Sequence, residues 1–183
     1  MRPLDAAPIF RILNDHSVAY LVIGGMAAEY HGRELGTDDI DITPEKEAAN
    51  LARLGDALRA LDAKFLDPDG QVMHDVDIPW DPVLLERMGS VRTATKFGVL
   101  DIVFRPDGTD GYDDLVRRAA FIVVSGVAAP VAALDDIIRS KAAAGRPKDV
   151  VALPKLEELA EALRRSPQRE IRLPVDPARY IGD

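Results

Sequence analysis

Residues 18–43 read VAYLVIGGMAAEYHGRELGTDDIDIT: an apolar run ends at Gly24-Gly25, and a shorter run follows that carries Asp39 and Asp41. Residues two apart on a strand point to the same face, so the two acids are expected to project together while the isoleucines beside them pack into the core. Two carboxylates held that close repel each other, and the pair is costly without a cation between them. The spacing therefore predicts a divalent-metal site, and the glycine pair predicts a turn at which a phosphate can approach the backbone.

A third acid, Asp101, lies inside the later apolar run 99–104. A carboxylate buried in such a strand must be paired or bound to a cation. If this strand lies beside strand 39–42, Asp101 completes a cluster of three carboxylates. Oxygen ligands without His or Cys favour Mg²⁺ or Mn²⁺, which act together with substrate phosphates. The predicted chemistry is phosphoryl or nucleotidyl transfer.

Cations gather in the segment KAAAGRPKD, residues 141–149. Lys141, Lys148 and Arg146 suit a triphosphate, lysine as a point charge and arginine as a fork. The same cations are explained equally well as complements of the dipole at the end of a helix. On the residues alone both interpretations stay open.

Composition limits the class of protein. The chain has 183 residues, 47% of them hydrophobic, which suits one α/β domain. It has no cysteine, which excludes disulfides, thiol catalysis and thiolate zinc sites. The net charge of −8 argues against a protein coated in positive charge for duplex DNA, although a local basic patch could still meet a nucleic acid. Apolar runs are too short for a membrane span and none near the start suits a signal peptide, so we expect a cytoplasmic protein without a membrane partner.

Several common motifs and site types are missing. No P-loop, Gly-x-Gly-x-x-Gly fingerprint or Gly-x-Ser-x-Gly elbow occurs. The histidines, at positions 16, 31 and 74, are not spaced as a metal site.

The hydrophobic pattern predicts an α/β (α+β) fold: a mixed β-sheet core flanked by helices, with a C-terminal helical part. The expected divisions are a core over 1–132, a helical part over 133–165 packed on it, and an extended tail over 166–183. A helix is predicted to begin at Thr43-Pro44, with Thr43 as N-cap, and to carry the leucines at 51, 54, 58 and 61 on one face. The other predicted elements are helices at 5–15, 26–30, 112–119, 134–144 and 148–165, the last bent or restarted at Pro154, and strands at 18–23, 90–96, 99–104, 121–124 and 127–131. The secondary structure of residues 62–89 is the hardest to predict from the sequence. A turn is predicted at 67–70 and a capped helix start at Asp81-Pro82.

The sequence resembles the minimal nucleotidyltransferases of the DNA polymerase β superfamily. The resemblance rests on Gly24-Gly25-Met26-Ala27, on His31-Gly32 and on the run TDDIDI at Thr37–Ile42. The resemblance is strongest to the group that contains the AbiEii and MenT toxins, and it spans about residues 18–150. Met26 stands where many members have Ser or Thr, and Leu35 where many have Arg. These departures bear on the nucleotide and the acceptor more than on the metal site.

The resemblance implies a role for each matching residue. Asp39 and Asp41 would bind two Mg²⁺ or Mn²⁺ ions, Asp101 would share one ion and take the proton of the acceptor hydroxyl, and Lys141 would neutralise the triphosphate. The remaining nucleotide-binding residues would be Gly24, Gly25, Thr37, Arg146, Lys148 and Asp149.

The resemblance also implies an activity: transfer of a nucleoside monophosphate from an NTP to RNA, at a tRNA 3′ end, by a toxin that is paired with an antitoxin protein. Two alternatives stay open. One is transfer to a small molecule or a protein, and the other is a non-catalytic nucleotide-binding or antitoxin-type subunit. Retention of three carboxylates argues against the second alternative.

Overall fold

The computed structural model describes residues 3–32, 36–73 and 79–165. Its strands are β1 (Tyr20–Ile23), β2 (Asp39–Pro44), β3 (Lys64–Phe65), β4 (Ser90–Thr95), β5 (Gly98–Val103), β6 (Ala120–Val124) and β7 (Val127–Val131). Its α-helices are α1 (Ala6–Asp15), α2 (Gly24–Tyr30), α3 (Ala48–Ala60), α4 (Pro82–Arg87), α5 (Tyr112–Leu115), α6 (Leu134–Ala144) and α7 (Pro147–Arg165), and a 3₁₀ turn follows α5 at Val116–Arg118. The α/β fold with a C-terminal helical part is confirmed.

The strands form one mixed sheet in the order β3-β4-β5-β2-β1-β7-β6. In its centre, β2 runs antiparallel to β1 and parallel to β5. β1 is buried along its whole length, as an apolar strand covered on both faces must be. On β2, Ile40 and Ile42 are fully buried while the two acids between and beside them are partly exposed. The alternation expected for this strand is therefore present.

Several local predictions are confirmed. The three leucines of α3, at 51, 54 and 58, and Leu61 directly after the helix are all buried in the core. Asp81 caps α4 through a hydrogen bond that its carboxylate accepts from the Leu84 amide at 2.8 Å, with Pro82 as the first helical residue. The hairpins β4–β5 and β6–β7 both form, and the chain turns at 67–70 as predicted. β3, within the hard-to-predict segment 62–89, was not predicted.

The helix start predicted at Thr43-Pro44 is wrong. Both residues belong to β2, where Pro44 pairs with Tyr20, and the helix begins at Ala48. The Thr43 hydroxyl caps no helix; it is buried and donates to the Phe104 carbonyl. A tertiary contact explains why the helix starts later. The buried Asn50 side-chain amide forms hydrogen bonds with the backbone of Ala19 and Glu45, and these bonds extend the pairing of β1 and β2 past Pro44.

Two further predictions differ in detail. The strand predicted to begin at residue 18 begins at Tyr20, and α2 follows β1 directly because Gly24 is already its first residue. α7 continues through Pro154 without a restart. The helical part packs on the sheet through Leu134, Ile137, Leu156 and Ala160, which join the same hydrophobic cluster as the strands.

Some predictions fall on residues that the structure does not describe. Leu35, His74 and the tail 166–183 lie outside the described residues. Within the described ranges, no helix combines the length and the apolar character that crossing a membrane requires.

Candidate active site

The carboxylates of β2 and β5 meet at the centre of the sheet. The parallel pairing of these strands sets Asp41 directly beside Asp101, and Asp39 lies two residues before Asp41 on the same face. The register comes from the backbone ladders, with Ile40, Ile42, Leu100 and Ile102 buried below. The predicted cluster of three carboxylates required these two strands to be neighbours, and they are.

Burial makes this cluster electrostatically costly. Desolvation, reinforced by the charge of Asp39, raises the pKa of Asp41 to about 6 even though Lys148 and Lys141 lower it. Desolvation likewise raises the pKa of Asp101 to about 7, although Arg92 opposes the shift. One oxygen of Asp101, Oδ1, is buried and has no hydrogen-bond partner among the residues that the structure describes. Burial thus makes ionisation of Asp41 and Asp101 costly in the metal-free protein.

Arg92 of β4 bridges two of the three acids. Its guanidinium lies 3.3 Å from Asp39 Oδ2 and 3.2 Å from Asp101 Oδ2. The antiparallel β4–β5 hairpin sets Arg92 opposite Asp101, which explains why the side chain reaches across β5 to β2. With the side chains in this arrangement, no group of three or more His, Asp or Glu in the described ranges could hold a metal ion.

Gly24 and Gly25 lie directly against the acidic strand. A Cβ on Gly24 would lie 2.0 Å from Asp41 Oδ2, and the residue has a positive φ of 68°. A Cβ on Gly25 would lie 3.1 Å from the Thr37 hydroxyl oxygen. That hydroxyl donates to Asp39 Oδ1 at 2.8 Å, and the Thr37 amide donates to Glu29. The glycines allow the close approach, and Thr37 orients Asp39.

The cations of residues 141–149 are organised by one buried acid. The Asp149 carboxylate, with no exposed side-chain surface, accepts hydrogen bonds from Lys141 Nζ at 2.9 Å and Arg146 Nε at 2.6 Å. Burial alone disfavours its charged form, but these two cations hold its pKa below the usual range. Gly145, in the left-handed conformation, ends α6 and turns the chain into α7 so that these residues converge.

These elements enclose a cleft of about 990 Å³. Of the ten residues predicted for the site, the eight that line it are Gly24, Gly25, Thr37, Asp39, Asp41, Lys141, Arg146 and Lys148. Asp101 and Asp149 are not among the lining residues, but each forms ion pairs with residues that are: Asp101 with Arg92, and Asp149 with Lys141 and Arg146. The cleft therefore brings the acid pair and the cationic segment to face each other.

The cleft also contains charged residues that the sequence reasoning missed. These are Arg92, Arg105, Asp38, Asp107, Asp136 and Lys155. Counting only described residues, six cationic and five acidic side chains line the cleft, in a chain of net charge −8. Positive charge is thus concentrated here. Arg92 was detectable in principle, since a turn at 96–97 sets residue 92 opposite residue 101.

The acid cluster has the chemistry of a divalent-cation site. Its donors are carboxylate oxygens, the type that Mg²⁺ and Mn²⁺ prefer. Among the described residues, the buried Oδ1 of Asp101 has no hydrogen-bond partner, and burial raises the pKa values of Asp41 and Asp101, so a cation at the cluster would offset the cost of ionising these acids. Asp39, Asp41 and Asp101 are the residues that would hold such an ion once Arg92 and the carboxylates rearrange, because their present arrangement is not that of a three-ligand group.

No protein-family model matches the chain, and no curated protein matches it in sequence. Solved structures do share its fold. The lincosamide antibiotic adenylyltransferase LnuA, solved with lincomycin bound, aligns with a TM-score of 0.57 at 11% identity, over 86% of this chain and 99% of LnuA. A candidate nucleotidyltransferase from Thermotoga maritima aligns with a TM-score of 0.48 at 16% identity, over 87% and 88% of the two chains. The antibiotic-resistance factor ANT(2″)-Ia aligns at 0.47 and 15%, over 86% and 88%. The chain therefore shares its overall fold with LnuA.

Proposed function

We propose that this protein is a metal-dependent nucleotidyltransferase that moves a nucleoside monophosphate from an NTP to an acceptor hydroxyl. The observation that carries the proposal is one cleft in which Asp39 and Asp41, backed by Asp101, face Lys141, Arg146 and Lys148. Acids for a divalent ion and cations for a triphosphate are the two components that this reaction needs. The fold shared with LnuA supports the same activity.

The chain's own residues supply most of the mechanism. Lys141, Arg146 and Lys148 bind the triphosphate, with Asp149 holding the first two in place. The acceptor oxygen attacks the α-phosphorus, the bond from the α-phosphorus to the bridging oxygen breaks, and pyrophosphate leaves. Asp101, the third carboxylate of the cluster, takes the hydroxyl proton. A divalent ion on the carboxylates would supply charge stabilisation at the reacting phosphate.

Two acceptors are proposed. RNA, at a tRNA 3′ end and in a toxin with an antitoxin partner, is the acceptor that the AbiEii and MenT resemblance suggests. A small hydroxyl-bearing molecule is favoured by a specific observation: among the described residues, no aromatic side chain lines the cleft on which an RNA base could stack. LnuA, whose fold the chain shares, acts on lincosamide antibiotics.

The test is incubation of the full chain with each α-labelled NTP and Mg²⁺ in two arms, total tRNA and a panel of hydroxyl-bearing small molecules. We expect a mass gain of one nucleoside monophosphate on an acceptor in one arm. Asp41→Ala should abolish it, whereas Asp56→Asn, at an exposed acid paired with Arg59, should not. Absence of transfer in both arms, or equal transfer by Asp41→Ala, would contradict the proposal.

A further inference from the structure

Arg92 contacts the candidate metal ligands loosely. Its two ion pairs, at 3.3 and 3.2 Å, are longer than the 2.7–2.9 Å typical of strong charge-assisted bonds, and about half of its side chain is exposed. The ion pair between Arg146 and the buried carboxylate of Asp149, by contrast, is 2.6 Å long. The guanidinium is a weakly held counter-ion whose long, exposed side chain can move without disturbing the sheet.

The acids that Arg92 bridges lie on hydrogen-bonded strands, whereas the guanidinium reaches them at the end of a long, half-exposed side chain. β2, β4 and β5 are hydrogen-bonded neighbours, so their Cα positions are set by backbone ladders. Arg92 engages one oxygen each of Asp39 and Asp101, and within the described part of the chain Asp101 Oδ1 is left without a hydrogen-bond partner. One positive charge thus satisfies the cluster only in part, and a divalent ion would satisfy it better.

We propose that Arg92 is a built-in counter-ion that occupies the carboxylate cluster in the metal-free protein and is displaced when a divalent cation binds. The inference rests on the metal site of the proposed function. Displacing the arginine costs part of the binding free energy, so the wild-type site binds metal more weakly than its carboxylates alone would.

The experiment is Mn²⁺ binding to the full chain without NTP, followed by electron paramagnetic resonance of free Mn²⁺. Arg92→Gln should tighten binding about 5-fold to 20-fold, the range of moderate coupling between two sites. Arg92→Lys keeps the charge but loses the planar fork that spans two carboxylates, so its affinity should lie closer to that of Arg92→Gln than to wild type. Arg105→Gln is the matched control, because Arg105 lines the same cleft but pairs with Asp110, and it should change affinity less than twofold.

Each result decides the question. Unchanged or weaker binding by Arg92→Gln, wild-type affinity of Arg92→Lys, or no Mn²⁺ binding to any variant would overturn the inference. The transfer assay separates this inference from the proposed function. Tighter Mn²⁺ binding by Arg92→Gln, with no transfer to any acceptor, would support displacement of the arginine and contradict the nucleotidyltransferase activity. Transfer by the wild type, with unaltered Mn²⁺ affinity of Arg92→Gln, would support the activity and contradict the displacement.

Discussion

Gly24 sets how closely the chain passes the acid pair. The residue combines a positive φ with an approach to the Asp41 carboxylate that leaves no room for a side chain. The adjacent glycines were recognisable as a turn signal, but their contact is with a residue on the next strand, and local pattern carries no information about that partner.

Gly24→Ala should lower the free energy of unfolding by about 1–3 kcal/mol through backbone strain, and the clash should displace Asp41 and reduce transfer at least about tenfold. Gly126→Ala is the matched control, because Gly126 also has a positive φ but nothing lies within 4 Å of its added Cβ. Thermal unfolding and initial rates measure the two effects. Equal activity of the two variants would show that Asp41 does not depend on the close approach.

Asp101 makes stability depend on pH. Because its pKa is raised to about 7, the folded protein holds a proton there that the unfolded chain has lost above pH about 4. The associated stability is complete below pH about 4 and is lost as the pH rises through about 7.

Asp101→Asn should therefore stabilise the metal-free protein at pH 8, on the order of 2–4 kcal/mol at about 1.4 kcal/mol per pKa unit, and give no gain at pH 4. Thermal unfolding in EDTA at the two pH values measures this. Asp110→Asn, at an exposed acid, is the control and should change little at either pH. A loss of stability at pH 8 would mean that the pair with Arg92 outweighs the burial of the charge.

At the scale of elements, the junction of α6 and α7 carries the cations of the cleft. The sequence left open whether these cations serve a ligand or the helix end, and the structure adds a buried acid that fixes Lys141 and Arg146. The glycine that ends α6 was predictable from local chemistry, whereas the convergence of the two cations on Asp149 was not. Propensity also misplaced the start of α3, because the buried Asn50 outweighs the helix-start signal at Thr43-Pro44.

Asp149→Asn should remove the charge that both cations share and lower the free energy of unfolding by about 2–4 kcal/mol, since it leaves a largely buried lysine without a counter-charge. The KM for NTP should rise as Lys141 and Arg146 lose their fixed positions. Asp135→Asn provides the matched control on the same two helices, because Asp135 pairs with Arg164 in solvent and such pairs contribute about 0–1 kcal/mol. Urea unfolding and NTP kinetics measure both; equal effects of the two substitutions would contradict the assignment.

At the scale of the whole molecule, the helical part and the sheet share one hydrophobic cluster. Leu156 of α7 and Ile137 of α6 are buried in the same cluster as β1 and β2. The class of fold followed from the order of the hydrophobic patterns. β1 and β5 are apolar runs, β2 alternates between polar and apolar residues, and the leucines of α3 recur every three or four residues. The pairing order of the strands and the position of α7 depend on contacts far apart in the sequence, which periodicity does not encode.

Unfolding should consequently be a single transition. Trp80 is the chain's one tryptophan, 5% exposed and stacked on Phe65 at 4.6 Å, so its fluorescence reports on the sheet edge beside α3. Far-ultraviolet circular dichroism reports on all helices, α6 and α7 included. Coincident denaturation curves are expected from the shared core, and separate midpoints would show that the helical part unfolds independently.

The central position of β2 in the sheet determines how long the geometry of the acid pair persists. β2 is bonded on one side to β1 and on the other to β5, and Ile40 and Ile42, which alternate with the acids, are fully buried. Amide hydrogens in such a strand exchange with solvent only when the whole molecule opens. The spacing of Asp39, Asp41 and Asp101 should persist through every local fluctuation, and heat should inactivate the protein only at the temperature at which it unfolds.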